Sequence, residues 1–317
     1  MARKFLTFLG VAVPVLAGVT LWAAARHEAR AEAEYPPEGQ MLDIDGVRVH
    51  AVVMGNGPDL VLIHGASGST RDMTFALAPA LAERYRVIVI DRPGLGYTER
   101  LNTTGATITQ QADLLAEAAR RLGADRPLVL GHSYGGAVAL AWAVHHPDRI
   151  SGLVALSAAS QVWDGSLPLF YHITSSRLGS LFVVPLITAF VPDRVVENAV
   201  EEVFEPQPEP EGYAEYFGPS LTLRRVSMRA NAAQRSNLLE EIRTLQPRYG
   251  EIAVPTEIVH GTADTTVGLQ IHSEKLVHQI PGAVLTRLPG IGHMAHHAAQ
   301  AEVIAAIDRV AARAGLR

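Results

Sequence analysis

The sequence is typical of an α/β protein in which a mainly parallel sheet is covered by helices on both faces. Short apolar runs alternate along the chain with longer segments whose apolar residues recur at helical spacing. The runs are unbroken instead of alternating between apolar and polar residues, which is the pattern of strands buried on both sides. Helical connections between successive strands favour a parallel sheet, and such sheets bind ligands at the carboxyl ends of their strands.

The composition is that of a protein with a large buried core, and it argues against nucleic acid as a partner. The chain has 317 residues, of which 48% are hydrophobic, enough for one large domain or two ordinary ones. Its net charge of −5 comes from 27 basic and 32 acidic residues that are mixed along the chain. No strip of basic residues indicates that the protein binds nucleic acid. The absence of cysteine excludes a thiol nucleophile, a thiolate metal site and disulfides.

The N-terminal segment predicts attachment to a membrane. Arg3 and Lys4 precede an uncharged stretch from Phe5 to Ala25, residues 5–25, which as a helix spans about 30 Å, the thickness of the hydrocarbon core. The basic residues before it favour a cytoplasmic N-terminus, so the rest of the chain is expected to be exported, to the periplasm or the extracellular space. Two alternatives stay open. The segment could be a secretory signal that is cleaved at small residues, which would make the protein secreted, or a buried helix.

Changes in the pattern divide the chain into three parts. Residues 1–39 hold the N-terminal segment and an Ala/Glu-rich linker that begins at residue 26 and contains two prolines. Residues 40–160 and 251–317 carry the alternating strands and helices of a core domain. Residues 161–250 show no clear strand and contain helix-like pieces separated by prolines. This break predicts an inserted helical cap, or lid.

Five aromatic residues of the predicted cap have two possible roles. They could line an acyl pocket or pack the cap against the core domain, and they are Phe170, Tyr171, Phe182, Phe190 and Phe217. Apolar residues at helical spacing more often pack a helix against its neighbours than line a cavity. Packing against the core domain is therefore the expectation for each of them.

The core domain is predicted to open with an antiparallel hairpin. Asp45-Gly46, between the alternating runs 41–43 and 47–53, is a strong signal for a two-residue hairpin turn. Six buried strands are expected to follow, at residues 59–63, 87–90, 128–130, 150–156, 255–259 and 284–288. The main helices of the core are expected at residues 73–84, 109–122, 137–146 and 298–312.

A serine between a predicted strand and a predicted helix is the candidate nucleophile. The strand at 128–130 runs into Gly131-His132-Ser133-Tyr134-Gly135, and an Ala-rich helix begins soon afterwards. The glycines remove side chains that would clash with the neighbouring strand and helix, so the strained turn can push the Ser133 hydroxyl outward. A plain glycine turn is the alternative. The strand–turn–helix context favours the nucleophile.

A serine nucleophile needs a base that is held in place by a third group, and two downstream residues fit. Asp264 follows the strand at 255–259, and His293 follows the strand at 284–288. Both therefore lie on the same edge of the sheet as Ser133, in the chain order Ser, Asp, His. Asp164, which follows the strand at 150–156, is a rival candidate for the acid.

The attack of a serine on a carbonyl also needs hydrogen-bond donors for the oxyanion. The loop His64-Gly65-Ala66-Ser67-Gly68-Ser69 follows the strand at 59–63 and can aim backbone N–H groups into a cleft. The backbone N–H groups of Ala66 and Tyr134 are the candidates. An ordinary strand-to-helix turn is the alternative for this loop, and His64 is interpreted as structural.

No metal or cofactor is expected. The histidines at 293, 296 and 297 form a cluster in the sequence, but no carboxylate or cysteine stands near them at metal-site spacing. His296 and His297 are expected in the first turn of the closing helix. The glycine-containing loop at residues 91–97 lacks the spacing and the following helix of a dinucleotide fingerprint.

These motifs together resemble the α/β-hydrolase superfamily, in its capped, serine-nucleophile type, over roughly residues 40–314. The resemblance rests on the opening hairpin, His64-Gly65, Asp91-Arg92-Pro93-Gly94, Gly131 to Gly136, Gly261 to Asp264 with Val267, and Gly292-His293. It implies a mostly parallel eight-stranded sheet with Ser133 as nucleophile, His293 as base and Asp264 as acid. It also implies oxyanion donors at Ala66 and Tyr134 and a lid at residues 161–250.

The resemblance implies hydrolysis of a carboxylic ester, with a small-molecule acyl substrate and no cofactor. The reaction would proceed through an acyl-enzyme that water cleaves. Carbon–carbon bond hydrolases, lactonases and cofactor-free haloperoxidases of the family share the same triad and stay open as alternatives. Haloalkane dehalogenases and epoxide hydrolases would have aspartate in place of Ser133. A non-catalytic ligand-binding or accessory protein is the second hypothesis, because a fold does not settle a function.

Overall fold

The strands form one continuous sheet. The structure is a computed structural model that describes residues 2–165 and 167–317, with side chains from residue 14 onward. Its strands are β1 (Gln40–Ile44), β2 (Val47–Met54), β3 (Asp59–Ile63), β4 (Arg86–Ile90), β5 (Leu128–His132), β6 (Gly152–Leu156), β7 (Thr256–Gly261) and β8 (Val284–Leu288). They are ordered β1-β2-β4-β3-β5-β6-β7-β8.

The sheet is parallel except at its first edge. The pairs β1–β2 and β2–β4 are antiparallel, and every other neighbouring pair is parallel. Strands β5, β6 and β7 are buried at every position, as expected for strands covered on both faces. The predicted eight-stranded, mostly parallel α/β fold is confirmed.

The turn between β1 and β2 has the conformation that its sequence indicates. Asp45 and Gly46 both have positive φ angles, 52° and 87°. Two consecutive positive φ angles define the hairpin turn whose twist matches the flanking strands. The Asp43 carboxylate also accepts a hydrogen bond from Gly46 N at 2.7 Å.

Helices cover both faces of the sheet. They are α1 (Ala2–Glu34), α2 (Thr70–Thr74), α3 (Leu77–Ala82), α4 (Ile108–Arg121), α5 (Tyr134–His145), α6 (Leu169–Ser175), α7 (Val184–Phe190), α8 (Arg194–Phe204), α9 (Tyr213–Phe217), α10 (Pro219–Thr222), α11 (Arg225–Leu245), α12 (Ser273–Gln279), α13 (Ala295–Ala298) and α14 (Gln300–Arg313). Helices α4, α5 and α12 share one hydrophobic cluster with the sheet, and α2, α3 and α14 share the other.

Two predicted core helices are each divided in the structure. The segment predicted as a helix at 73–84 forms α2 and α3, and the closing helix is α14, preceded by the separate short helix α13. His296 and His297 lie in α13, not in the first turn of the closing helix as expected. Ala76 and Ala299, with φ of −144° and −138°, interrupt the helical path at these two points.

Residues 161–250 contain the helices α6 to α11, with a π-helical turn at Gly179–Val183 between α6 and α7. Among the described residues of this stretch there is no strand. The long helix α11 enters the main core through Leu238, Ile242 and Leu245. It thereby joins the inserted helices to the sheet.

Six large apolar side chains of the inserted stretch are exposed, and together we call them the apolar cap face. It is formed by Leu169, Phe170, Leu178, Leu181, Phe182 and Phe190. The expectation that Phe170, Phe182 and Phe190 pack against the core was wrong, since these side chains are 47%, 61% and 58% exposed. Helical spacing identifies an apolar stripe but not what covers it.

The N-terminal helix extends further than its composition suggested. The Ala/Glu-rich segment from residue 26 was expected to be a linker, but α1 continues to Glu34, and only residues 35–39 lack regular structure before β1. Alanine and glutamate are strong helix formers, and α1 packs against the inserted helix α7. Ala24 and Ala31 of α1 are buried.

Across the described residues, no single helix is both long enough and apolar enough to cross a membrane. The bent pair Leu169–Ser175 and Gly179–Phe190, whose axes differ by 90°, meets the length and composition criteria only when taken together. The predicted span at residues 5–25 lies partly outside the residues whose side chains are described, so it stays a prediction.

Candidate active site

Ser133 lies at the sharp turn between β5 and α5. Its φ and ψ angles are 55° and −118°, a strained conformation for a residue with a side chain. The turn depends on its glycines, because a Cβ on Gly131 would clash with the carbonyl oxygen of Gly135. A Cβ on Gly135 would clash with the carbonyl oxygen of Ile63 in β3. The strand–turn–helix that the sequence predicts around Ser133 is present.

An aspartate–histidine pair is formed at the ends of β7 and β8. His293 Nδ1 lies 2.7 Å from Asp264 Oδ2, and both side chains are buried. The other carboxylate oxygen, Oδ1, accepts hydrogen bonds from the backbone N–H groups of Thr266 and Val267 at 2.9 and 2.8 Å. The rival acid Asp164 is exposed in the loop after β6. The structure therefore pairs His293 with Asp264.

His260 is a second imidazole on the same carboxylate, and it is not among the residues predicted from the sequence. Its Nε2 lies 3.1 Å from Asp264 Oδ2 and 2.7 Å from the carbonyl oxygen of Val267. Burial alone would raise the pKa of Asp264, but the hydrogen bonds from His260 and His293 outweigh it and hold that pKa well below its usual range. The carboxylate is therefore charged at neutral pH.

His293 lies beside the turn that carries Ser133. His132, the residue before Ser133, places its Nε2 3.1 Å from the carbonyl oxygen of His293. The two imidazole rings are 4.7 Å apart between centroids. The three residues proposed from the sequence thus lie on one edge of the sheet, with Ser133 and His293 on adjoining segments.

The loop after β3 packs against Ser133, and Arg92 donates hydrogen bonds to its backbone carbonyl groups. A Cβ built on Gly65 would lie 3.3 Å from the Ser133 Cβ, so the loop lies against the candidate nucleophile. The guanidinium of Arg92 is fully buried and donates to the carbonyl oxygens of His64 and Gly65 at 3.0 and 2.8 Å. It also lies over the Tyr134 ring, 4.3 Å from the centroid. Burial lowers the pKa of Arg92 to about 10, so it stays charged at neutral pH.

His64 has a structural position, as the sequence analysis proposed. Its Nδ1 lies 3.0 Å from the carbonyl oxygen of Gly65, and its Nε2 accepts a hydrogen bond from Arg92 N at 3.0 Å. Burial, followed by the nearby charge of Arg92, lowers the pKa of His64 to about 4. The ring is therefore neutral at pH 7 and braces the loop.

A second buried cluster of histidines surrounds Asp72 next to the candidate site. Asp72 Oδ1 lies 3.1 Å from the Nε2 atoms of both His296 and His297, and it accepts a hydrogen bond from the Tyr213 hydroxyl at 2.8 Å. Asp72, His132 and His296 also offer donor atoms within 4.8 Å of one another. Asp72 is distant in sequence, so local spacing could not reveal it. The prediction that the chain holds no metal stays a prediction.

A mostly parallel sheet with a strained serine between strand and helix, and an aspartate–histidine pair at the ends of two neighbouring strands, defines an α/β-hydrolase. Residues 58–299 match the family described as alpha/beta hydrolase fold, and the chain belongs to that family. The resemblance inferred from the motifs is confirmed, and so is the general assignment to hydrolytic enzymes.

The known proteins that are similar to this chain are named after different activities. Haloalkane dehalogenase 2 of Mycobacterium tuberculosis is 28% identical over 289 residues, which cover 86% of this chain and 94% of that protein. The crystal structure of an alpha/beta hydrolase fold protein from Burkholderia ambifaria has a TM-score of 0.71 at 24% identity and covers 85% of this chain and 96% of its own. The structure of a bacterial membrane phospholipase A has a TM-score of 0.66 at 22% identity, with coverages of 98% and 99%. The structural likenesses show a shared fold.

Proposed function

We propose that the protein is a serine hydrolase that cleaves a carboxylic ester through an acyl-enzyme intermediate. The observation that carries the proposal is the 2.7 Å contact between His293 Nδ1 and Asp264 Oδ2, formed beside the strained turn of Ser133. A charged carboxylate on Nδ1 holds the imidazole in the tautomer whose Nε2 can accept a proton. A serine hydroxyl becomes a useful nucleophile only with such a base.

In the proposed reaction, the Ser133 hydroxyl attacks the ester carbonyl while His293 Nε2 accepts its proton. Asp264 stabilises the imidazolium that forms, and the backbone N–H groups of Ala66 and Tyr134 donate to the oxyanion. His293 then protonates the leaving alkoxide, which departs as the alcohol. Water deprotonated by His293 attacks the acyl-enzyme, and the carboxylic acid leaves as Ser133 regains its proton.

A fluorophosphonate tests for an activated serine. The full-length protein in detergent is exposed to the probe, and its intact mass is measured beside Ser133→Ala and Ser157→Ala. Ser157 is a matched control because it also has a positive φ, 43°, and follows the neighbouring strand β6. We expect one adduct in the wild type and in Ser157→Ala, and none in Ser133→Ala. An adduct that persists in Ser133→Ala, or none in the folded wild type, would contradict the proposal.

Substrate assays separate the ester hydrolase from its alternatives. Ser133→Ala should lower ester turnover by several orders of magnitude, since only binding and oxyanion contacts remain. Esters of short and long acyl chains, phospholipid vesicles, an acyl lactone and a 1-haloalkane are compared by kcat/KM. A preference for the lactone would favour a lactonase. Tight stoichiometric ligand binding without saturable turnover would favour the non-catalytic hypothesis.

We also propose that residues 5–25 anchor the protein in a membrane and that the catalytic domain is exported. The apolar cap face supports this orientation, because it places six exposed large apolar side chains within residues 169–190, and exposed apolar patches mark sites of contact with membranes or other proteins. Helix α1 packs against α7, which carries Phe190 of that face, and α1 exposes Leu16 and Trp22. The proposed anchor and the apolar cap face would then meet the same lipid surface.

Flotation with vesicles of phosphatidylethanolamine and phosphatidylglycerol tests the anchor. The full chain should float with the vesicles and resist alkaline extraction, whereas a chain that lacks residues 1–34 should not resist it. The double variant Leu181→Asp, Phe182→Asp should lose activity on vesicle substrates but keep it on soluble esters, with the exposed Ile271→Asp as control. A mature protein that begins after residue 25 or 33 would show a cleaved signal instead.

A further inference from the structure

The cap helix α11 holds the loop that carries the candidate oxyanion donor Ala66. Asn231 exchanges two hydrogen bonds with Ser67, the next residue of that loop. Ser67 N donates to Asn231 Oδ1 at 2.9 Å, and Asn231 Nδ2 donates to Ser67 Oγ at 2.9 Å. Ser67 has a φ of 56°, a strained conformation that persists only where the surrounding structure enforces it. The Asn231 amide supplies part of that enforcement.

One turn further along α11, Gln234 reaches the same loop through Arg92. Gln234 Oε1 accepts a hydrogen bond from Arg92 Nη1 at 2.9 Å, while Arg92 Nη2 donates to the carbonyl oxygen of Gly65 at 2.8 Å. Gln234 Nε2 also donates to the carbonyl oxygen of Pro93 at 2.7 Å. Residues three apart on a helix share a face, so Asn231 and Gln234 act on the loop from the same side of α11.

These contacts fix the orientation of one particular peptide unit. The carbonyl of Gly65 and the N–H of Ala66 belong to the same planar peptide, in which they point in opposite directions. Arg92 binds the carbonyl, so the N–H is directed away from Arg92. A charge-assisted bond at the carbonyl also polarises the peptide and strengthens its N–H as a donor. The next residue, Ser67, is held by Asn231, so the peptide is fixed on both sides.

We propose that Asn231 and Gln234 are positioning residues for the oxyanion site, so that the cap helix completes the catalytic geometry of the core. This inference rests on the proposed function, because an oxyanion forms only if Ser133 attacks a carbonyl. A positioning role acts on the transition state more than on the bound substrate. Loss of the Asn231 contacts should therefore lower kcat about 10- to 100-fold while KM changes less than about threefold.

The test compares Asn231→Ala with Asn237→Ala in the full-length protein. Asn237 is the matched control, since it lies on the same helix and its amide donates to Thr104 O at 3.1 Å on the surface. Rates are measured with p-nitrophenyl butyrate. The inhibition constant of a trifluoromethyl ketone is measured in parallel, because its adduct with serine carries an oxyanion. Asn231→Ala should weaken the inhibitor by the same factor as it lowers kcat, and Asn237→Ala should change neither more than twofold.

The outcomes distinguish this inference from the proposed function. If the wild type neither reacts with fluorophosphonate nor hydrolyses the ester, the proposed function fails, and the inference with it. If the wild type is active and Asn231→Ala stays within twofold of it in both kcat and inhibitor affinity, only the inference is overturned. Asn231→Ser, which loses both bonds but stays polar, replaces Asn231→Ala if that variant does not fold.

Discussion

The carboxylate of Asp264 accepts a 2.7 Å hydrogen bond from His293 Nδ1, although 29 residues separate the two in the chain. The contact exists because β7 and β8 are adjacent and parallel, so the loops that follow them meet at one edge of the sheet. His260 contributes a further 3.1 Å contact to the same oxygen. The aspartate is thus held in a position where it can orient the candidate base.

Asp264→Asn should lower kcat by about 10⁴-fold, because an amide cannot hold His293 in the tautomer that accepts the serine proton. The fold should survive, since the side chain keeps its shape. The variant is assayed with a soluble ester and its unfolding is measured in urea. Asp164→Asn is the control, because Asp164 is exposed. An activity loss in Asp164→Asn that matched the loss in Asp264→Asn would contradict the assigned roles.

Gly131→Ala should destabilise the protein by about 1–3 kcal/mol or more, because the added methyl group would overlap the carbonyl oxygen of Gly135. The measurement is the midpoint of urea unfolding. Gly250→Ala serves as the control, because its Cβ would meet only Gln279 O at 3.8 Å. Equal stabilities of the two variants would show that the turn does not require glycine at residue 131.

The strands and the order of the candidate triad could be predicted because their signals are local. The bounds of β3 and β8 agree with the apolar runs, and Asp264 and His293 follow their strands within a few residues. The hairpin turn and the turn at Ser133 are also determined by adjacent residues, Asp45-Gly46 and Gly131 to Gly135. In each case the backbone conformation depends on side chains no more than a few residues away.

The contacts that support the site could not be predicted, since they depend on how segments that are far apart in the chain pack against one another. Asn231 reaches Ser67 across 164 residues, and Asp72 meets His296 across 224. No spacing rule connects such pairs. The exposure of Phe182 is a similar case, because an apolar stripe gives no information about its tertiary partner.

The ion pair of Glu28 and Arg225 should couple α1 to α11 by about 1 kcal/mol. Arg225 donates to the two carboxylate oxygens at 2.8 and 2.6 Å, and its backbone N–H donates to Glu28 at 2.8 Å. Burial alone would raise the pKa of Glu28, but the bonds from Arg225 lower it. A group whose pKa is lower in the folded state than in the unfolded state stabilises the fold at pH values above its unfolded-state pKa. This stabilisation is lost as the pH falls through the folded-state pKa.

A double-mutant cycle with Glu28→Gln and Arg225→Gln in urea measures this coupling at pH 7 and again at pH 3. The coupling should be present in full at pH 7 and weaker at pH 3, below the ordinary pKa of Glu28. The exposed pair Arg30 and Glu34, 3.7 Å apart on α1, is the matched control and should show a coupling of about 0.5 kcal/mol or less. Coupling energies that are equal for the two pairs would refute the special role of Glu28.

Glu241→Gln should stabilise the protein above neutral pH. Burial raises the pKa of Glu241 to about 7 from an ordinary value of 4.5, although Ile108 N donates to its Oε2 at 2.8 Å. Within the described part of the chain its Oε1 is buried and has no hydrogen-bond partner. Between pH 4.5 and 7 the folded state therefore binds more protons than the unfolded state, so the free energy of unfolding falls as the pH rises through this window.

The wild type should accordingly lose up to about 3 kcal/mol from this group between pH 4.5 and 8, and Glu241→Gln should not. His64 and His296, whose pKa values burial lowers to about 4, act in the opposite direction, because stability falls when they must be protonated. The difference between variant and wild type isolates Glu241. Urea unfolding is measured from pH 4.5 to 8, with the exposed Glu240→Gln as control. A difference that does not grow with pH would mean that Glu241 ionises in the folded protein as readily as in water.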